Sequence, residues 1–209
     1  MNRPLFARIQ ARASATEERK GGAEYRRRLL AGLRGRVIEV GAGSGVNFAY
    51  YPSGVVEVVA LEPEPNLRAR AVAAARQAPV PIRVIAGVAQ RLPLVDASMN
   101  AGVVAGLLCS LPDPALGLAE LARVMRPNGE LRFYEHVRAP GAGLAGLQRL
   151  LDATVWPRVF GGCHPNRDTE ATIAHAGFAI QTCDRFLFHP TPLSVPVAPR
   201  ILGSARRLP

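Results

Sequence analysis

Lysine is almost absent from this 209-residue chain. Lys20 is the only one, and the other basic residues are arginines. Together with abundant alanine, this is the residue usage of a high-GC coding sequence. The formal net charge of +10 is therefore informative through its distribution rather than its size. Cysteine is scarce as well. Cys109, Cys163 and Cys183 are odd in number, widely spaced and form no C-x-x-C pair. That argues against a disulfide framework or a zinc ribbon and fits a reducing cytoplasm. Cys163 and His164 are adjacent rather than at metal-ligand spacing, so no metal site is expected. No apolar run approaches the roughly 18 residues of a membrane-spanning helix. The opening stretch MNRPLFARIQARAS has neither the apolar core nor the cleavage site of a secretory signal. No aromatic-rich basic stripe is present, so a nucleic-acid partner is not expected.

What is present suits one globular domain: 48% of residues are hydrophobic and 20% charged. Residues 1–36 hold ten basic residues against Glu17, Glu18 and Glu24, so much of the excess charge sits in an N-terminal arm. A solvated helix face explains that arm first; an anionic membrane surface is the next partner it fits. Residues 2–33 read as one or two amphipathic helices interrupted near Gly21-Gly22. Short apolar runs then alternate with helical segments. Strands are expected at RVIEV, 55–61, 81–87, 99–108 and 130–137, with helices at 65–78, 113–125, 143–156 and 168–176. Two last strands close the chain. This rhythm implies a doubly wound, Rossmann-like α/β sheet, mostly parallel, with an antiparallel strand near the C-terminus.

The sharpest feature is VIEVGAGSGVNF, from Val37 to Phe48. A buried strand ends in an acid, and glycines follow at alternate positions. Such a loop lies at the carboxyl edge of an α/β sheet, where ligands bind. The dinucleotide fingerprint G-x-G-x-x-G requires glycine where this chain has Val46, so NAD and FAD are disfavoured. No G-x-x-x-x-G-K-[ST] motif exists, which excludes that mode of nucleoside triphosphate binding. Glu62 stands at the end of the second strand, where a carboxylate can accept both hydroxyls of a ribose.

The E-x-G-x-G-x-G pattern resembles the class I S-adenosylmethionine (SAM) methyltransferases. The resemblance implies SAM as cofactor, held by Glu39, Gly41, Gly43, Gly45, Asn47, Glu62 and Leu107. It also implies an adenine contact after the third strand, at Val88, Ala89 and Gln90. There GVAQRLP departs from the family's GDAExLP, placing Val88 where an aspartate usually stands. Further stretches, LLCSLPDP, ELARVMRPNGELRFYEHV and GGCHPNRDT, are similar to one subgroup, the methyltransferase-like thiol S-methyltransferases. The chain is thus expected to be one methyltransferase domain over 1–209, with a helical arm or lid at 1–34 and a catalytic core at 35–209.

Methyl transfer from a sulfonium is an in-line displacement, and a thiol acceptor must first lose its proton. His136, at the end of the fifth strand, reads first as a backbone-bonded structural histidine and is the candidate general base if the site has one. Cys109, Trp156, Cys163, Asn166 and Arg167 are the candidate acceptor-side residues. Asn166 or Asp168 can alternatively cap the helix that follows. No N-P-P-Y or D-P-P-Y follows the fourth strand, and the chain has no room for a recognition domain. The expected acceptor is therefore a small molecule, with a thiol first. Oxygen, nitrogen or carbon of a quinone, lipid head group or secondary metabolite comes second, and a non-catalytic SAM-binding module third.

Overall fold

A computed structural model describes residues 4–208. Its centre is a seven-stranded sheet of order β3-β2-β1-β4-β5-β7-β6. The strands are β1 (Gly35–Val40), β2 (Val55–Leu61), β3 (Ile82–Ile85), β4 (Met99–Ala105), β5 (Met125–His136), β6 (Phe178–Leu187) and β7 (Pro199–Arg207). β1 to β5 pair in parallel, and β7 runs antiparallel to both neighbours. The helices are α1 (Pro4–Glu17), α2 (Ala23–Leu30), α3 (Pro65–Ala75), α4 (Pro114–Val124), α5 (Ala142–Ala153), α6 (Trp156–Val159) and α7 (Thr169–His175). The central strands are apolar runs because a parallel sheet is covered on both faces. Ile38, Val59, Val104 and Phe133 lie in one core layer, and Val37, Val58, Val103 and Leu30 in the other. Strand order reverses between β1 and β4, which opens a crevice at their carboxyl ends.

Local chemistry sets the element ends. Asp113 caps α4 by accepting from Ala115 N and Leu116 N, with Pro114 at the first helical position. Glu64 caps α3 through Leu67 N. α3 stops at Ala75 rather than 78, because the chain must turn into Pro79 and Pro81. The expected helix 143–156 ends at Ala153. Pro157 has no N–H for the Ala153 carbonyl, and its ring would crowd that carbonyl, so Trp156 starts a separate short helix. β4 stops at Ala105, not 108, because the buried Glu135 carboxylate accepts from the amides of Leu107 (2.8 Å), Leu108 (3.0 Å) and Cys109 (3.3 Å). That capture winds 108–110 into a 3₁₀ turn. β3 is likewise shorter than 81–87.

The N-terminal arm is two helices joined by a kinked turn, Glu18–Gly22, with Gly21 at φ +108°. Its inner face is bound to the sheet by ions and rings. Buried Arg26 donates to Glu18 (2.8 Å) and to Asn47 Oδ1 (2.8 Å). Arg200 of β7 pairs with Glu17 at 2.5 Å and also bonds the Tyr134 hydroxyl. Burial pushes the Glu17 carboxyl up, but Arg200 and Arg26 together bring it below its ordinary value. Tyr25 stacks on Phe186, with ring centres 4.5 Å apart. Arg8, Arg12, Arg19, Lys20, Arg27 and Arg28 lie on the outer, exposed face. Removing Arg26 leaves Glu18 and Asn47 without their buried partner. Arg26→Ala is expected to lower unfolding free energy by about 3–5 kcal/mol, the scale for breaking a buried pair from one side. Urea unfolding of both proteins measures it.

Candidate active site

The glycine loop leaves β1 and turns back over the sheet edge. Gly41, Gly43 and Gly45 all have positive φ, at +74°, +58° and +80°, but only one of them faces open space. A Cβ on Gly41 would meet Leu107 Cδ1 at 2.7 Å, and one on Gly45 would meet Phe48 at 2.8 Å. A Cβ on Gly43 would meet nothing within 4 Å. Gly41 and Gly45 therefore serve packing, while Gly43 bares its backbone toward the crevice. Glu62 lies directly beneath. It accepts from Gly43 N at 2.8 Å and from Glu64 N at 2.9 Å. An ionised carboxylate offers about four lone-pair sites, so two acceptor positions remain for ligand hydroxyls. Burial raises its pKa, and those two amides hold it down. The carboxylate at the end of the second strand can thus accept two ligand hydroxyls.

Glu39 sits deeper. One oxygen accepts from Asn47 Nδ2 at 2.8 Å and the other from Tyr51 OH at 2.7 Å. Arg26 closes the chain onto Asn47. This acid therefore fastens the loop from below and ties it to the arm. Burial raises its pKa from 4.5 to about 7, against the pull of Tyr51, Asn47 and Arg26. A raised carboxyl binds its proton more tightly in the folded state. Its stabilising contribution is full below about pH 4.5 and is lost as pH rises to about 7. The change is on the order of 3 kcal/mol. Glu39→Gln does not titrate; its oxygen keeps the bond from Asn47 and its amide N–H must donate to the Tyr51 hydroxyl instead, and it is expected to flatten that part of the melting-temperature profile between those limits.

The expected adenine loop lies beyond β3. Ala89 is buried, Gln90 is half-buried, and Val88 is exposed. The Val88 carbonyl accepts from Arg91 N at 3.2 Å, which leaves one lone pair for a ligand amine.

At the other end of the crevice three chain segments converge. His136 ends β5, Cys109 lies in the 3₁₀ turn after β4, and Cys163 comes from the loop after α6. His136 Nδ1 is 3.7 Å from each sulfur, and the sulfurs are 3.7 Å apart. The Cys163 thiol beside it, and burial, push the Cys109 thiol well up. The Cys163 thiol is lowered by Cys109, against burial. His136 Nδ1 is thus flanked by two sulfurs, a neighbourhood that chain spacing does not reveal. His164, beside Cys163 in sequence, points elsewhere and pairs with Asp152 at 2.9 Å. Arg167 donates to Leu108 O at 2.6 Å, and His164 N donates to Cys109 O at 2.8 Å, so the 161–169 lip is stitched to the turn that carries Cys109. Asp168, not Asn166, caps α7. Asn166 Oδ1 and Trp156 Nε1 are buried with no hydrogen-bond partner.

Three contributors are missing from the sequence reading: Arg26, Glu135 and Tyr51. Glu135 carried a visible signal, a charge inside the apolar run RFYEHV. Arg26 carried none, because it stands among other arginines.

Comparison with known proteins agrees with this geometry. A family model described as "Methyltransferase domain" matches residues 38–133. The chain is 34% identical over 174 residues to thiol S-methyltransferase TMT1B of Rattus norvegicus, an alignment spanning 81% of this chain and 69% of that one. It is also 34% identical over 182 residues to the Homo sapiens protein of that name, spanning 84% and 73%. Among solved structures, a complex of the Haloferax volcanii Trm112 methyltransferase activator with a methyltransferase matches at TM-score 0.74. That match is 16% identical and covers 99% of both chains, so it is a likeness of fold. The chain therefore belongs to the class I SAM-dependent methyltransferases, in the family that holds the thiol S-methyltransferases, and it is an enzyme that uses S-adenosylmethionine to methylate a small molecule.

Proposed function

We propose that the accepting atom is the sulfur of a small thiol. The observation that carries this reading is the sulfur-lined nitrogen at the acceptor end of the crevice: His136 Nδ1 between Cys109 and Cys163. The relatives' activity, named for thiols, supports it. SAM supplies an electrophilic methyl on a sulfonium. The chain's own residues do the rest. Glu62 accepts the ribose hydroxyls, and Gly43 lets the backbone approach the ligand. Asn47, Glu39 and Leu107 fix the loop, and the Val88–Gln90 segment meets the adenine. The Cys109–His136–Cys163 cluster takes up the acceptor and removes its proton. Trp156, Asn166 and Arg167 belong to its surroundings. The arm, bonded to the glycine loop through Arg26 and packed on the lip through Phe6 beside Gly161, covers the crevice from above. Its exposed cationic face suits loose contact with an anionic membrane surface, and three free cysteines suit a cytoplasmic setting. Among the described residues no helix is long and apolar enough to cross a membrane.

A panel of acceptors with methyl-labelled SAM tests the reading. Alkyl and aromatic thiols are expected to take the label, while phenols, amines and quinols of similar size are not. Label on a quinol and on no thiol would reject it. Glu62→Ala is expected to weaken SAM by about 1.5–3 kcal/mol, the scale of hydrogen bonds to a charged group. Calorimetric titration measures it, and an unchanged affinity would place the ribose elsewhere.

A further inference from the structure

We infer that Cys109, His136 and Cys163 form a binding site for one divalent zinc-class cation, with a fourth coordination position left to the acceptor. Adjacency of Cys163 and His164 argued against a metal, but chain spacing considered the wrong pair. The fold brings together ligands 27 and 54 residues apart instead.

The geometry is that of one face of a tetrahedron. Metal–sulfur bonds of about 2.3 Å and metal–nitrogen bonds of about 2.0–2.1 Å place two sulfurs about 3.8 Å apart, and sulfur and nitrogen about 3.6 Å apart. All three separations here are 3.7 Å. A disulfide would need the sulfurs to close to about 2.05 Å. Two sulfurs and an imidazole suit Zn²⁺, and three protein ligands with one open position are the arrangement of a catalytic rather than a structural zinc site.

The surroundings are those of a held site. Both cysteines are buried and the histidine half-buried. Each ligand is fixed through its backbone: Cys109 N donates to Glu135, and its carbonyl accepts from His164 N. The His136 carbonyl accepts from Thr169 Oγ1 at 3.3 Å, and Cys163 N donates to Phe160 O at 3.1 Å. Trp156 packs against the two cysteines, and its buried Nε1–H has no partner. A metal thiolate accepts such a donor, and ligand partners of this kind tune metal sites.

The acceptor role rests on the thiol reading; the metal site does not. Two thiolates and an imidazole make the zinc site neutral, so a thiolate bound in the fourth position keeps its electron density. As the thiol binds, its proton passes to solvent. Its sulfur then attacks the methyl carbon. One carbon–sulfur bond forms, the sulfonium carbon–sulfur bond breaks, and the electron pair stays on the departing sulfide. No oxidant or reductant is required.

Cobalt substitution tests the site without reference to activity. Full-length protein is reduced, stripped with a chelator and titrated with Co²⁺. One equivalent is expected to bind, with a thiolate-to-cobalt charge-transfer band and the strong ligand-field bands of tetrahedral cobalt. Cys109→Ser and Cys163→Ser should each lose the charge-transfer intensity, and Cys183→Ser should keep it. Trp156→Phe, which preserves the packing, should weaken binding by about 10-fold or more, in the range for loss of a ligand's partner. No thiolate band in the wild type, or an undiminished band in Cys163→Ser, overturns the site. Addition of an alkyl thiol should then change the cobalt spectrum. An unchanged spectrum with a thiol that the enzyme turns over, or full turnover by stripped protein, overturns the acceptor role alone. Cobalt uptake with no thiol turned over rejects the thiol reading and leaves the metal site standing.

Discussion

Gly43→Val is expected to abolish detectable SAM binding while the protein stays folded. The space beside Gly43 holds no protein atom within 4 Å, so a side chain there displaces ligand rather than core. The backbone at φ +58° adds strain for a β-branched residue. That cost, roughly 1–3 kcal/mol, lowers the melting temperature without removing the fold. Gly45→Ala should behave in the opposite way. Its new methyl meets Phe48 and Ala74 at 2.8 and 3.0 Å, so it loses stability through overpacking before it touches the ligand. Calorimetry with SAM and a thermal melt, run on both variants, separate the two effects. If Gly43→Val bound SAM as well as the wild type, the cofactor would not lie over this loop.

His136→Asn should discriminate between thiols. Turnover of an alkyl thiol, which arrives protonated, is expected to fall by about 10²-fold or more, the range for losing assistance to proton removal. Turnover of an aromatic thiol already ionised at the assay pH should change little, because no proton remains to be removed. Equal losses for both thiols would mean that the histidine removes no proton itself: it then holds a cation that binds both acceptors, or supports the pocket. The readout is kcat/KM for the two thiols at one pH.

The cofactor half of the site was legible because its determinants are short-range. The acid and the alternate glycines occupy seven consecutive residues at the end of the first strand, and Glu62 directly follows the adjacent strand. Once the parallel sheet is assumed, register alone puts Glu62 beneath Gly43. Residue types there are also constrained by backbone geometry: a positive φ and a close approach leave glycine little competition. The helix caps at Asp113 and Asp168 were readable for the same reason, since a cap acts within three residues of itself.

The acceptor half was not legible, because it is made by long-range packing. The sequence named Cys109, His136 and Cys163 separately, but neither their meeting nor its 3.7 Å spacing follows from spacing along the chain. Pro157 splits the expected helix before Trp156, a consequence of one missing N–H that periodicity does not register. Arg26 looked like one more solvated arginine. Burial against Glu18 and Asn47 makes it the link between arm and glycine loop. The sequence by itself determined the sheet, the glycine loop and the acid beneath it, because those depend on neighbours a few residues away. Only the tertiary structure decided which sulfur faces which nitrogen, because that depends on how separate segments pack, and packing is a property of the whole core.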